Sequence, residues 1–267
     1  MRFLLALRGW ELASVISFVY TAVVAALFRR GLPSSARIRA VGGSVAGLLL
    51  TVASTMAPFH PLLHGWLLPP ALLLLGYWTS GLLFVAPMKQ IEQLFAVLDR
   101  VADVRRVGSL APVSVAEFLE FSYAAVFVLI PVALALHLTF SPAPDTDRFW
   151  TVILVTDFIC FAALPWIQTR PPRALEPGEP WVSSFRNFNL RWLGTASIQV
   201  NTFPSGHAAE ALAAALLVSN LRPIVFVWML FNAAAVSAGA VFGRYHYAID
   251  AIAGWVVAIA VWLLLMH

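Results

Sequence analysis

The chain has 267 residues, 61% of them hydrophobic and only 11% charged, with a net charge of +4. A soluble surface needs roughly 25–35% charged residues, so this composition excludes a soluble globule and describes a polytopic membrane protein. The 17 Lys and Arg gather between apolar segments, which fits membrane topology and not a nucleic-acid footprint. The single cysteine, Cys160, excludes an internal disulfide.

Eight apolar segments follow one another: Trp10–Phe28, Ala40–Ala57, Leu62–Ala86, Glu117–Phe140, Phe149–Ile167, His207–Ser219, Pro223–Phe242 and Ala248–Met266. Several approach the ~20 residues that cross a ~30 Å hydrocarbon core, so the fold class is all-α, a polytopic helical bundle of about eight spans. The first segment lacks a small-residue cleavage site and reads as an uncleaved span. Pro69-Pro70 predicts a kink or split in the third. The sixth is short and either starts within the membrane plane or extends into the preceding loop. Trp10, Trp66, Trp150, Trp166 and Trp255 stand near span ends, as an aromatic belt does.

Between the third and fourth spans, Lys89–Arg106 places Ile91, Leu94, Phe95, Leu98, Val101 and Ala102 on one helical face. That pattern predicts an amphipathic helix lying in the interface. Residues 168–202 form the one long polar connection, and its length suggests function. Without a repeat or a composition break, the chain reads as one domain. Residues 1–61 supply two spans added to a six-span core over 62–267, with an active-site loop at 168–206. Asp157 in the fifth span is a functional candidate or a packing partner. Glu210, three residues after His207, can share its face. His60, His64 and His137 near span ends suit interfacial roles, and Asn232 suits a hydrogen bond between helices.

Two constellations carry chemistry. Phe203-Pro204-Ser205-Gly206-His207 opens the sixth segment. Pro204 sets the entrance, Ser205 can cap, and Gly206 lets a ligand approach the backbone. A helix N-terminus with free N–H groups, a hydroxyl and an imidazole is an anion site, though an ordinary capped helix begins the same way. The second constellation is Gly243-Arg244-Tyr245-His246-Tyr247-Ala248-Ile249-Asp250. His246 and Asp250, four apart, share a helical face, so the carboxylate can orient the imidazole, while Arg244 offers a phosphate-binding fork. A plain Arg244–Asp250 ion pair is the bland alternative. If segments six and seven form a hairpin, Arg170, Arg173, Ser205, Gly206, His207, Arg244, His246 and Asp250 all reach one membrane face. Two histidines, several arginines and a helix N-terminus describe a phosphate site without a metal. One His can attack phosphorus and the other can protonate the leaving oxygen.

These residues resemble the type 2 phosphatidic acid phosphatases (the PAP2 superfamily), membrane enzymes whose core is related to vanadium haloperoxidases. Pro204-Ser205-Gly206-His207 matches the second motif of that family. Arg244 with His246-x-x-x-Asp250 looks like the third, and Arg170-Pro171 or Arg173 like the end of the first. The resemblance covers about Glu117 to His267. It implies that His246 is the nucleophile that becomes phosphohistidine, that Asp250 orients it, and that His207 is the general acid. Arg170 or Arg173, Arg244, Ser205 and Gly206 would bind phosphate, with neither cofactor nor metal. Where the first motif usually has Lys, seven residues before its Arg, this chain has Ala163 or Trp166. Only Tyr245 separates Arg244 from His246, where the family has five residues. Both departures resemble a divergent branch near the inositol phosphorylceramide synthase-like phosphotransferases.

The resemblance implies hydrolysis of a lipid monophosphate or diphosphate, with lipid phosphotransfer as the alternative and a non-catalytic lipid transporter or binder as the second. The expected partners are a lipid phosphate and the bilayer, with no nucleic acid. Eight spans put both termini opposite the site, whose side then carries 13 of the 17 Lys and Arg. By the positive-inside rule that side is cytoplasmic. The resemblance implies an extracytoplasmic site, in a multi-pass protein of a bacterial plasma membrane.

Overall fold

In the computed structural model of the protein, residues 7–27, 31–56, 60–176 and 178–266 are described. The expected segment ends at Phe28 and Ala57, the charges at Arg2, Arg29 and Arg30, and the final His267 lie outside them. Each of the eight apolar segments folds as helix. The first two are α1 (Gly9–Leu27) and α2 (Ser34–Met56), and the third is α3 (Leu68–Gly81) with a π turn at Leu63–Leu67 before it. Two helices bridge to the next segment, α4 (Lys89–Val101) and α5 (Val104–Ser109). The fourth segment divides into α6 (Val113–Ala124) and α7 (Val126–Phe140), bent by 64°. Then come α8 (Thr146–Ala163), α9 (Ser184–Ala196), α10 (Gly206–Leu217), α11 (Pro223–Phe242) and α12 (Ala248–Met266).

The protein is an all-α membrane helical bundle. By length and apolarity alone α1, α2, α11 and α12 qualify as spans, and the bent α6–α7 pair makes five. The other apolar segments fall short for readable reasons. Pro69 and Pro70 interrupt the third, where the Leu68 N–H reaches back five residues to the Leu63 carbonyl. α8 carries Asp147, Arg148 and Asp157, and α10 has 12 residues. Contacts gather the ends of several of these helices into two groups. At one end His64 meets the Ser54 carbonyl, Asp145 meets His137, and Arg148 meets the Leu265 carbonyl. At the other, Tyr20 meets the Ala162 carbonyl, Gln168 meets Val85, and Asp99 meets Ala248. Both described ends of the chain therefore lie away from the second group, where the motif residues collect.

Lipid is as apolar as leucine, so close packing and small residues hold such helices together. α10 shows this most fully. Ala208, Ala209, Ala211, Ala213, Ala214 and Ala215 are all fully buried, because α7, α8, α11 and α12 surround the helix. On α12, a side chain at Gly254 would strike the Ser205 carbonyl, so glycine sets how closely the two helices cross.

Two elements differ from the sequence expectation. The polar connection over 168–202 contains a helix, α9, capped by the Ser183 hydroxyl, which accepts from the Arg186 N–H at 3.2 Å. The helix over 89–106 stops at Val101, where Asp103 adopts a left-handed φ of 54°, and α5 follows. Asn232 bonds to the Trp228 carbonyl of its own helix at 2.7 Å, where a partner on another helix was expected.

Candidate active site

Ser205 starts α10 by capping it: its Oγ accepts from the Ala208 N–H at 3.4 Å, leaving Gly206 and His207 in the first turn. The Phe203–Pro204 peptide ahead of it is cis. The Ser205 N–H donates to the Asp250 carbonyl at 2.9 Å and fastens α10 to α12. Between α11 and α12 the chain turns tightly. Arg244 sits at a left-handed φ of 59°, and the N–H groups of Tyr245 and His246 both donate to the Ala240 carbonyl. A non-glycine residue in that region costs about 1–3 kcal/mol, which the surrounding packing must hold in place.

Asp250 is fully buried. Its Oδ2 accepts from the Tyr247 N–H at 2.8 Å and from Asn201 Nδ2 at 2.9 Å, and faces His246 Nδ1 at 3.3 Å. On that contact we assign the proton to Nδ1, which leaves a lone pair on Nε2. His207 lies opposite, its ring centroid 6.4 Å from that of His246. It stacks on Tyr123 and meets the edge of Phe127. The hairpin of α10 and α11 thus brings His207, His246 and Asp250 together.

The arginines separate into distinct settings. Arg170 is bound to Glu92: its N–H, Nε and Nη2 all donate to that carboxylate, at 2.8, 3.0 and 2.9 Å. These bonds hold the Glu92 carboxyl below the usual carboxylate range. The phosphate role expected of Arg170 therefore meets a competitor already in place. Arg173 has no carboxylate partner among the described residues. Its guanidinium lies 5.3 Å over the Tyr245 ring, and burial pulls its pKa down, so an anion beside it is favoured. The Arg173 N–H donates to the Arg244 carbonyl at 3.0 Å, joining the first and third motifs. Arg244 reaches Glu176 at 3.5 Å and the Gly178 carbonyl at 3.0 Å.

Below this layer lies a polar hub that the sequence reading missed. Glu120 of α6 is fully buried and accepts from Trp181 Nε1, Arg186 Nη1, Asn189 Nδ2 and the Tyr245 hydroxyl at 2.6–3.1 Å. Arg186 also binds Glu179 and the Gly243 carbonyl. The hub therefore holds α9 and the turn that carries His246. The signal was present, because a carboxylate inside an apolar segment is a functional candidate by default. Asn201 was missed too; besides Asp250 it holds Thr169 Oγ1 at 2.9 Å.

On the far side of His207 an apolar cavity of about 540 Å³ runs into the bundle. Its mouth lies between α3, α7 and α9, where Trp78, Phe127 and Trp192 are half exposed. His207, Glu210 and Asp157 line its inner end.

A family model described as the PAP2 superfamily matches residues 97–264. No curated protein and no solved structure matches the chain.

Proposed function

Since the chain belongs to the PAP2 superfamily, we propose that it is an integral membrane lipid phosphatase acting through a phosphohistidine. The observation that carries this reading is the pair of histidines facing each other across 6.4 Å, one backed by a buried carboxylate. A phosphoryl group fits between them. His246 Nε2 attacks phosphorus, the P–O bond to the lipid breaks, and His207 gives its proton to the leaving oxygen. Asp250 stabilises the imidazolium that forms at His246. Water then attacks phosphorus, the P–N bond breaks, and His207 takes the proton back. Arg173, Arg244 and the N-terminus of α10, with Ser205 and Gly206, hold the phosphoryl oxygens as charge shifts. The lipid tail lies in the apolar cavity beyond His207, with the site on the extracytoplasmic face.

The test is phosphate release from a panel of lipid phosphates in detergent with EDTA present. Wild type is expected to release phosphate, and His246→Ala to fall at least ~10³-fold, as loss of a nucleophile does. Equal release by the variant would sink the reading. Transfer to an added lipid alcohol, without release to water, would replace hydrolysis by phosphotransfer through the same histidine.

A further inference from the structure

Asp157 of α8 and Glu210 of α10 are 1% and 5% exposed, and neither has a role in the chemistry above. Their carboxyls lie against each other between the two helices. One oxygen on each, Asp157 Oδ2 and Glu210 Oε1, is buried with no hydrogen-bond partner among the described residues. Both residues line the apolar cavity at its inner end, beside His207. Glu210 Oε1 is 4.0 Å from His207 Nδ1, and the Asp157 carboxyl packs against Gly206, where an added Cβ would come within 3.2 Å of Oδ1. The two open acceptors therefore lie on the cavity side of His207, where the part of the lipid next to the ester would pass.

Resting on the phosphatase reading above, we propose that Asp157 and Glu210 form a subsite for a hydrogen-bond donor on the lipid, a hydroxyl or ammonium on the carbon next to the phosphate ester. Buried acceptors left without donors are costly. A substrate that brings a donor removes that cost, and one that brings only hydrocarbon buries it further. A site built to bond a hydroxyl rejects the analogue lacking it far more strongly than an apolar pocket rejects a missing methylene. The selected class is glycerol-type or amino-alcohol lipid phosphates with a free vicinal donor. Polyprenyl phosphates, with a plain carbon there, are disfavoured.

A matched pair tests this: 1-acyl-2-hydroxyglycerol 3-phosphate against its 2-deoxy analogue, with farnesyl phosphate as a third substrate. Wild type is expected to favour the hydroxyl compound at least ~30-fold in kcat/KM over the other two. Asp157→Asn combined with Glu210→Gln keeps the shape of the pair and should compress that preference to within about threefold. A preference below threefold in wild type, or one that survives in the double variant, overturns the subsite and leaves the pair as packing between α8 and α10. The wild-type arm needs no variant to fold. If none of the three is hydrolysed, the phosphatase reading fails separately. Binding of the corresponding non-hydrolysable phosphonates, followed by quenching of the cavity tryptophans, then decides the subsite. Tighter binding of the hydroxyl compound supports it, and equal binding overturns it.

Discussion

Arg170 and Arg173 are separated by two prolines, yet their surroundings differ. Arg170 faces the Glu92 carboxylate, whereas Arg173 faces an aromatic ring and has no counter-ion among the described residues. Charge-assisted hydrogen bonds contribute about 1.5–3 kcal/mol, so Arg173→Gln should lower kcat/KM by roughly 10- to 150-fold at an unchanged thermal midpoint. Lysine should not rescue it, because the planar fork is lost. Arg170→Gln should do the reverse, lowering the thermal midpoint while kcat/KM stays within ~10-fold, since it strands a buried Glu92. Steady-state kinetics and a melting curve on both variants separate the two duties. The motif spacing named His207, His246 and Asp250, because a fixed helical register joins them or a single turn carries them. It could not rank the arginines. Their partners, Glu92 and Tyr245, lie 78 residues before Arg170 and 72 after Arg173, and only folding brings them close.

At the scale of elements, α4 and α9 share an unusual arrangement. α9 exposes Phe185, Phe188 and Trp192 and turns Arg186 and Asn189 inward. α4 exposes Leu94, Leu98 and Val101 and buries Glu92 and Asp99, with Phe95 packed on Phe203 and Tyr247. Beside a bilayer the apolar stripe faces out and the charged one serves the site. The stripe of α4 was legible as helical spacing. α9 was not, since its polar residues resembled loop and its apolar stripe has no core to face. Asp99 tests the packing of α4 on α12. Its Oδ1 accepts from the Ala248 N–H at 3.0 Å, and burial pushes its carboxyl from an ordinary 3.8 up to about 6. The folded chain therefore keeps a proton that the unfolded chain loses between those values. The contribution of this group to stability is greatest below about pH 4 and declines as pH rises to about 6. Asp99→Asn keeps an acceptor and removes the ionisation. The midpoint of the variant should match wild type near pH 4 and exceed it above about pH 7. A difference that does not vary with pH would refute this.

For the whole molecule, hydropathy made the class and the apolar segments readable, because burial in lipid writes itself into composition. The number of spans is lower than the apolar segments suggested, four to five among the described residues against about eight. The side of the membrane is a different matter. With Arg170, Arg173 and Arg244 set aside as site residues, the count is ten Lys and Arg on the site side against four, yet the proposed orientation is extracytoplasmic. Even so reduced, the count points to a cytoplasmic site and stands against the orientation that the family resemblance implies. Arg105→Cys on exposed α5 decides the question, since Cys160 is fully buried and stays silent. A membrane-impermeant maleimide should label that variant in intact cells. Labelling only after lysis would reverse the orientation.

On the phosphatase reading, the mouth flanked by the exposed Trp78, Phe127 and Trp192 admits lipid from among the acyl chains and not from water. A lipid entering there never dissolves. The quantity that saturates such an enzyme is the fraction of its substrate among all bilayer lipids, and inert lipid competes by crowding alone. Diluting a suspension of vesicles leaves the encounter rate unchanged, while swelling the same vesicles with unreactive lipid slows it. A cell could therefore throttle the reaction through bilayer composition, with no ligand bound and no residue modified.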